Sequence, residues 1–368
     1  MSRRDALHVG ALLAVAAVVI YLLAFADLFP IRYERAVADS PAPPAWPAML
    51  DRAAYNAKML YLAHYTAPRA GTSTASSTRV SFPVATATTS VSVPGDLWPK
   101  AAVYPEGGAI LPFHRIVAYY GNFYSKQMGV LGEYPREQVL AMLASTSAMW
   151  AKADPNTPTI PAIQYIAVVA QGQPGPDGMW RARMPDDQIQ KALDMANEVH
   201  GLLILDVQVG KSTLQKELPL LTKWLQLPNV ELAIDPEFSM KFGNAPGTVI
   251  GTFDAADVNY AASFLAGIVN ANHLAPKVLI VHRFTYDMVT NTQDIRPLPQ
   301  VEIVMDMDGW GQPARKFNTY YHVIAPYPVQ FTGMKLFYKA DLKPPSTRLL
   351  TTGEVLGLTP APIYIQYQ

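Results

Sequence analysis

The chain has 368 residues, with 29 Lys and Arg against 29 Asp and Glu, seven His and no Cys. The even charge balance lacks the basic excess that marks a nucleic-acid partner, and suits a neutral polymer such as a cell-envelope glycan better. Without cysteine there is no thiol nucleophile, iron–sulfur ligand, thiolate-bound zinc or lipid-modified cysteine, and an exported form must hold together by core burial.

Residues 1–8 contain Arg3 and Arg4 and read as a cytoplasmic tail. They precede a mostly apolar run, residues 9–26, whose length of about 18 residues is enough to span a bilayer. The positive-inside rule then leaves the rest of the chain outside the cytoplasm. Cleavage as a signal peptide is the alternative, because Ala24-Phe25-Ala26 fits a small-x-small site. Residues 27–110 change composition: SPAPPAWP at 40–47 is proline-rich, and 66–96 is rich in Ser, Thr, Ala and Val. They predict an extended, glycosylated spacer. Met49, Ala53, Ala57, Leu60 and His64 interrupt it at helical spacing and predict a helix within 49–65, packed against the folded part. Val and Thr alternate at 84–93, as in an edge hairpin.

From residue 111 to 368 the pattern becomes strand then helix, repeated. Eight runs read as strands: 115–121, 159–171, 202–210, 229–238, 277–284, 301–309, 334–342 and 362–368. Between them, Val139, Met142, Leu143, Thr146, Met149 and Trp150, and then Val258, Ala261, Ala262, Leu265, Ile268 and Val269, recur at the period of a helix. Weaker helical stripes run through 186–200 and 214–227. Such alternation predicts a parallel sheet. Eight units in roughly 250 residues fit a closed (β/α)8 TIM barrel. An open dinucleotide-binding sheet would carry G-x-G-x-x-G after its first strand, where this chain has YYGNFYSKQMG. GKST at 210–213 lacks the upstream glycine of a phosphate loop and reads as a turn that starts a helix.

Side chains alternate across a strand, so parity assigns faces. In LLILDVQVG the residues packed under helices are Leu203, Leu205, Val207 and Val209, which directs Asp206 and Gln208 inward. The same logic directs Asp235 and Glu237 inward from the fourth strand, His282 and Phe284 from the fifth, and Asp306 and Asp308 from the sixth. Gln171 and Gln366 join them from the second and eighth. All lie at carboxyl ends of strands, the face where barrel enzymes keep their chemistry. Five acids on three strands exceed what a self-satisfied polar plug requires. His-x-His and His-Glu-x-x-His are absent, and Lys335 as a Schiff-base lysine is left with an ambiguous parity. Acid chemistry without a cofactor or dedicated metal remains. Glycoside hydrolysis needs a protonated and an ionised carboxyl group flanking the scissile bond, and crowded acids split their pKa values to supply both. Candidate carboxyls are Glu237, Asp235, Asp206, Asp308 and Asp306. Candidate substrate contacts are Tyr119, Tyr120, Gln171, Trp180, Gln208, His282, Trp310 and Gln366, with Tyr124, Phe238 and Tyr286 as further aromatic platforms.

The run AIDPEF resembles the D-x-E ending of strand four in the barrel muramidases and in chitinase-like hydrolases, where the glutamate is the acid and the aspartate assists it. The resemblance implies those roles for Glu237 and Asp235. Val230 and Ala233 replace earlier acids of the longer chitinase pattern, and RIVAYYG lacks the first-strand acid of the muramidases. Strand seven also lacks the glutamate that large retaining groups place there. In order, VAYYGN, MGVLGEY, AQGQPGPDG, LLILDVQ, DPEF, IGTFDAADVN, VHRF, MDMDGWG and KLFYKAD resemble a group of exported actinobacterial barrel proteins of unassigned activity, over most of 115–368. The expected protein is a membrane-tethered, extracytoplasmic, glycoside-hydrolase-like barrel acting on a glycan, with Glu237 as the acid and one of Asp206, Asp306 or Asp308 as its partner, Asp206 on the adjacent strand being the nearest. Two alternatives stand beside it: a non-catalytic glycan-binding or envelope-scaffolding barrel, and a divalent-cation-dependent hydrolase using Asp206, Asp235, Asp306 and Asp308 as oxygen ligands.

Overall fold

A computed structural model describes residues 49–65 and 103–368 of the chain. At its centre are eight strands: β1 (Arg115–Gly121), β2 (Thr159–Ala170), β3 (Leu202–Val207), β4 (Val230–Ile234), β5 (Lys277–Arg283), β6 (Val301–Met307), β7 (Phe331–Leu336) and β8 (Tyr364–Tyr367). Each pairs in parallel with its sequence neighbours. The first strand also pairs with the last, Val117 standing opposite Pro161 on one side and Ile365 on the other. The ring is therefore closed, and every strand has a partner on both edges. This is the (β/α)8 barrel that the alternation of patterns predicts. The apolar run at 9–26, the proline-rich tract at 40–47 and the Val/Thr alternation at 84–93 lie outside the described residues. Among the described residues no helix is long and apolar enough to cross a membrane.

The outer core is the layer between strands and helices, and it contains Leu203, Leu205, Val207, Val230, Leu232, Ile234, Ile303 and Met305. Their in-strand neighbours Leu202, Ile204, Ala233, Ile280 and Val304 belong to a second cluster inside the barrel. The helix α2 (Arg136–Ala153) buries Val139, Leu143 and Trp150 against the barrel wall. Helix α3 (Asp186–Glu198) follows β2, and α4 (Ala255–Asn272) buries Val258, Leu265 and Val269. Each such Val or Leu, fully buried, stabilises by about 1.5–3 kcal/mol relative to exposure. A capping box between Asp254 and Asp257 starts α4, and His273 in the left-handed conformation ends it.

Two elements differ from the sequence expectation. The leucine stripe at 214–227 is three short turns, Leu214–Glu217, Leu218–Leu221 and Thr222–Leu225, because Pro219 has no N–H to donate and its ring clashes with a preceding carbonyl. The seventh strand runs over Phe331–Leu336 and not from Met334 to Leu342, residues 340–342 forming a 3-10 turn. Thr332 and Gly333 break the apolar pattern yet belong to the strand. A Cβ at Gly333 would come within 2.6 Å of an Asp306 carboxylate oxygen, so the glycine makes room for that acid.

The lower mouth is closed from outside the repeat. Helix α1 (Arg52–Leu62) is capped by Asp51, whose side chain accepts from Ala54 N–H, and it buries Tyr55, Met59 and Leu62. These pack with Leu111, Ile116, Ile363 and the other apolar residues of the barrel interior. Inside the same end, Glu302 accepts the backbone N–H groups of Ile110 and Leu111 at 3.0 and 2.9 Å, which secures the approach to β1. Met59 is 2% exposed. Met59→Ala is expected to lower stability by about 2–5 kcal/mol, read as a lower urea midpoint; an unchanged midpoint would show that the helix is not part of the core.

Candidate active site

A cavity of about 450 Å³ opens at the carboxyl ends of the strands, and its walls include Tyr120, Gln208, Asp235, Glu237, Asp308 and Lys335. Local chemistry positions the acids. The fourth strand stops at Ile234, and Pro236 begins a 3-10 turn, Pro236–Phe238, for which Asp235 is the cap. The Asp235 carboxylate accepts the Glu237 N–H at 3.0 Å. Strand alternation therefore does not align Asp235 with Glu237, as the sequence reading assumed; a capped turn does. Gln208 fixes Asp235 from the next strand: its Nε2 donates to the carboxylate at 3.2 Å and to the Tyr120 hydroxyl at 3.3 Å, while its Oε1 accepts from Ala170 N–H at 3.1 Å.

On the facing wall Asp308 extends past β6, with its N–H donated to the Arg283 carbonyl at 3.1 Å. Lys335 Nζ lies 2.9 Å from Asp308 Oδ1 and 4.0 Å from the centroid of the Tyr120 ring. Burial disfavours the ammonium charge, but the surrounding carboxylates, Asp308 first and then Asp306 and Asp235, together raise the Lys335 pKa, so this lysine is a charged partner and not a Schiff-base nucleophile. Its parity was ambiguous in the sequence; Gly333, two residues earlier and facing Asp306, was the signal that resolves it.

Below the cavity lies a second layer. His282 Nε2 is 2.8 Å from Asp206 Oδ2, and its Nδ1 is 3.1 Å from Asp306 Oδ2 and 3.4 Å from Asp308 Oδ2. Gln164 Nε2 donates to Asp206 at 2.7 Å, and the Tyr364 hydroxyl donates to Gln164. Asp206, His282 and Asp306 are fully buried. Burial opposes a charge on His282, yet the surrounding carboxylates, Asp206 first, outweigh it and hold the imidazole pKa well above its ordinary value. Burial pushes Asp306 up, and Asp235 well up, from the usual carboxylate range. Burial and then the nearby Asp308 push Glu237 up to about 7, against the opposing pull of Lys335 and His282.

No protein-family model matches this chain, and no curated protein matches it. A solved structure of a Bacillus subtilis mannanase is similar at 12% identity, with 69% of this chain and 79% of that chain covered and a TM-score of 0.37.

The structure gathers Asp235, Glu237, Asp308, Tyr120, Gln208 and Trp310 around one cavity. Asp206, His282, Asp306 and Gln366 are fully buried and do not line it. Asp206 is thereby separated from the role of direct partner to Glu237, because it stands opposite Ala233 in the β3–β4 register and Asp235 is two residues further along. Tyr119 faces outward, its hydroxyl 2.7 Å from Thr146 of α2 and 2.9 Å from Tyr338; in β1 it is Ile116, Ala118 and Tyr120 that point in. Gln171 and Trp180 lie beside the mouth on the hairpin where Arg181–Arg183 pairs antiparallel with the end of β2. Neither lines the cavity, and Lys211 Nζ sits 4.4 Å from the Trp180 ring. Lys335, Phe337 and Arg315 line it without having been singled out as contacts. The oxygen-ligand cation site is not what these residues build: His282 stands between Asp206 and Asp306, Lys335 pairs with Asp308, and no three His, Asp or Glu among the described residues are grouped to hold a metal ion.

The raised Glu237 pKa has a consequence for stability. The folded state holds this proton more tightly than an unfolded chain with a pKa of 4.5, so the contribution is present at low pH and is lost as pH rises toward 7. Wild type is expected to lose on the order of 3 kcal/mol from this group across that interval. Glu237→Gln should not lose it, so denaturation curves of the two proteins at pH 4.5 and 7.5 should diverge in favour of the variant at the higher pH; parallel curves would show that Glu237 titrates normally.

Proposed function

We propose that this barrel is a glycosidase-like enzyme in which Glu237 is the general acid and Asp308 the ionised partner. The observation that carries the reading is the pairing of opposites in one cavity: a carboxyl group held up to about 7 shares the mouth with a carboxylate bound by an ammonium group. Glu237 gives its proton to the glycosidic oxygen as the bond to the anomeric carbon breaks, and Asp308 supplies the negative charge that the oxocarbenium-like carbon requires. Water completes the product, and its proton restores the acid. Asp235 orients the turn that carries Glu237, and Lys335 at 2.9 Å and His282 at 3.4 Å hold the Asp308 side chain in place.

The test is release of reducing ends from a panel of envelope and extracellular glycans by the full-length chain and by Glu237→Gln. Activity confined to the wild type, with matched thermal unfolding, supports the assignment. Absence of activity together with glycan retained on a pull-down replaces it by a binding barrel.

The setting proposed for this chemistry is outside the cytoplasm, tethered through residues 9–26, and it rests on Arg3 and Arg4 preceding that apolar run. Retention in membranes after alkaline carbonate extraction supports a tether, whereas recovery of a shortened chain from the medium supports cleavage near Ala26.

A further inference from the structure

We infer that the β6–β7 side of the mouth is a subsite for an anionic substituent, a carboxylate or a phosphate, carried by the glycan. The inference rests on the glycan reading above and names the substrate class. Trp310 projects at this rim and is 45% exposed. The Arg315 guanidinium carbon lies 5.1 Å from its ring centroid and Lys343 Nζ lies 5.0 Å from the same centroid. Arg315 also lines the cavity. Every other cation in this quarter of the barrel holds an acid: Lys316 holds Asp341, Lys335 holds Asp308, Lys339 holds Glu133 and Arg348 holds Glu354. Among the described residues Arg315 and Lys343 have no acidic partner, only the tryptophan.

The platform beneath them is built. Gly311 has a φ of +142°, and a Cβ there would come within 2.8 Å of Arg315 Cδ, so the glycine lets the arginine stem lie back along the loop. Asp341 accepts from the N–H groups of Gly311 at 2.8 Å and Phe337 at 2.9 Å, and pairs with Lys316, whose Nζ donates to the Gly309 carbonyl at 2.8 Å. The two cations lie against one ring, and the planar guanidinium matches a carboxylate or phosphate in a bidentate way. The carboxylates deeper in the cavity exclude a second anion there, so the charged substituent belongs to a sugar one or more residues from the cleaved bond.

The experiment measures binding to the full-length chain by calorimetry, using oligouronides against their carboxyl-reduced counterparts and phosphorylated oligosaccharides against the dephosphorylated ones. The charged member of at least one pair is expected to bind roughly tenfold tighter or more at low salt, and that preference should vanish in the Arg315→Met, Lys343→Met double variant with unchanged thermal unfolding. The pair that discriminates tells carboxylate from phosphate. Equal affinity within every pair, binding of neither member, or a preference that survives the double variant overturns the inference. Reducing-end release is scored separately. A charge preference without turnover removes the hydrolase reading and leaves the subsite, whereas turnover without preference does the reverse.

Discussion

Glu237→Gln is expected to lower kcat on a glycan with an unactivated leaving group by about 10²–10⁴-fold, the contribution of a positioned general acid. An aryl glycoside whose phenolate departs without a proton should keep most of its rate, because the carboxamide disables proton donation and leaves the Asp308 side of the cavity in place. The pH profile supplies an independent reading. A general acid at about 7 gives the wild-type rate a falling limb just above neutrality, and the variant should lack that limb. The reason Glu237 holds its proton so late is burial first and the Asp308 charge second, so weakening either moves the limb toward lower pH. Equal losses on both classes of substrate would reassign Glu237 to substrate positioning, and a limb that persists in Glu237→Gln would place the acid elsewhere.

His282→Leu is expected to cost about 3–5 kcal/mol of stability, as removal of one partner of a buried ion pair does. Asp206 and Asp306 are fully buried and meet across this ring, so leucine leaves two carboxyl groups in the barrel without their shared cation. The pH dependence has a definite sign. In wild type the folded pKa of His282 is raised above the ordinary 6.5, so its contribution is complete below 6.5 and fades only as pH climbs through the raised value. In the variant Asp306, which burial already raises, should retain its proton, and stability should fall as pH rises above the unfolded carboxylate range near 4. The deficit against wild type is therefore smallest near pH 4–5 and largest near pH 8, measured by urea denaturation. A deficit that does not change with pH would mean that the ring acts through packing alone.

Residue periodicity determined which side chains enter this barrel. Leu203, Leu205 and Val207 alternate with Ile204 and Asp206 because successive Cβ atoms of a strand point to opposite faces, and that local rule holds wherever the strand lies. Eight such runs alternating with helical stripes determined the closed parallel sheet, and the helical spacing at 49–65 determined a helix. Tertiary structure decided depth. Asp206 stands level with Ala233, and His282 level with Asp306, through hydrogen-bond register between separate strands. One layer of acids is consequently sealed around an imidazole, and another, Asp235 and Asp308, reaches the cavity. Local pattern also missed the turn at Pro236, which replaces strand alternation by a side-chain cap, and the outward face of Tyr119. It left Lys335 undecided, because its role as the counter-ion of Asp308 depends on a partner 27 residues away. Inside or outside is set by backbone geometry within one strand, whereas the height of a side chain in the barrel is set by the stagger with which distant strands pair.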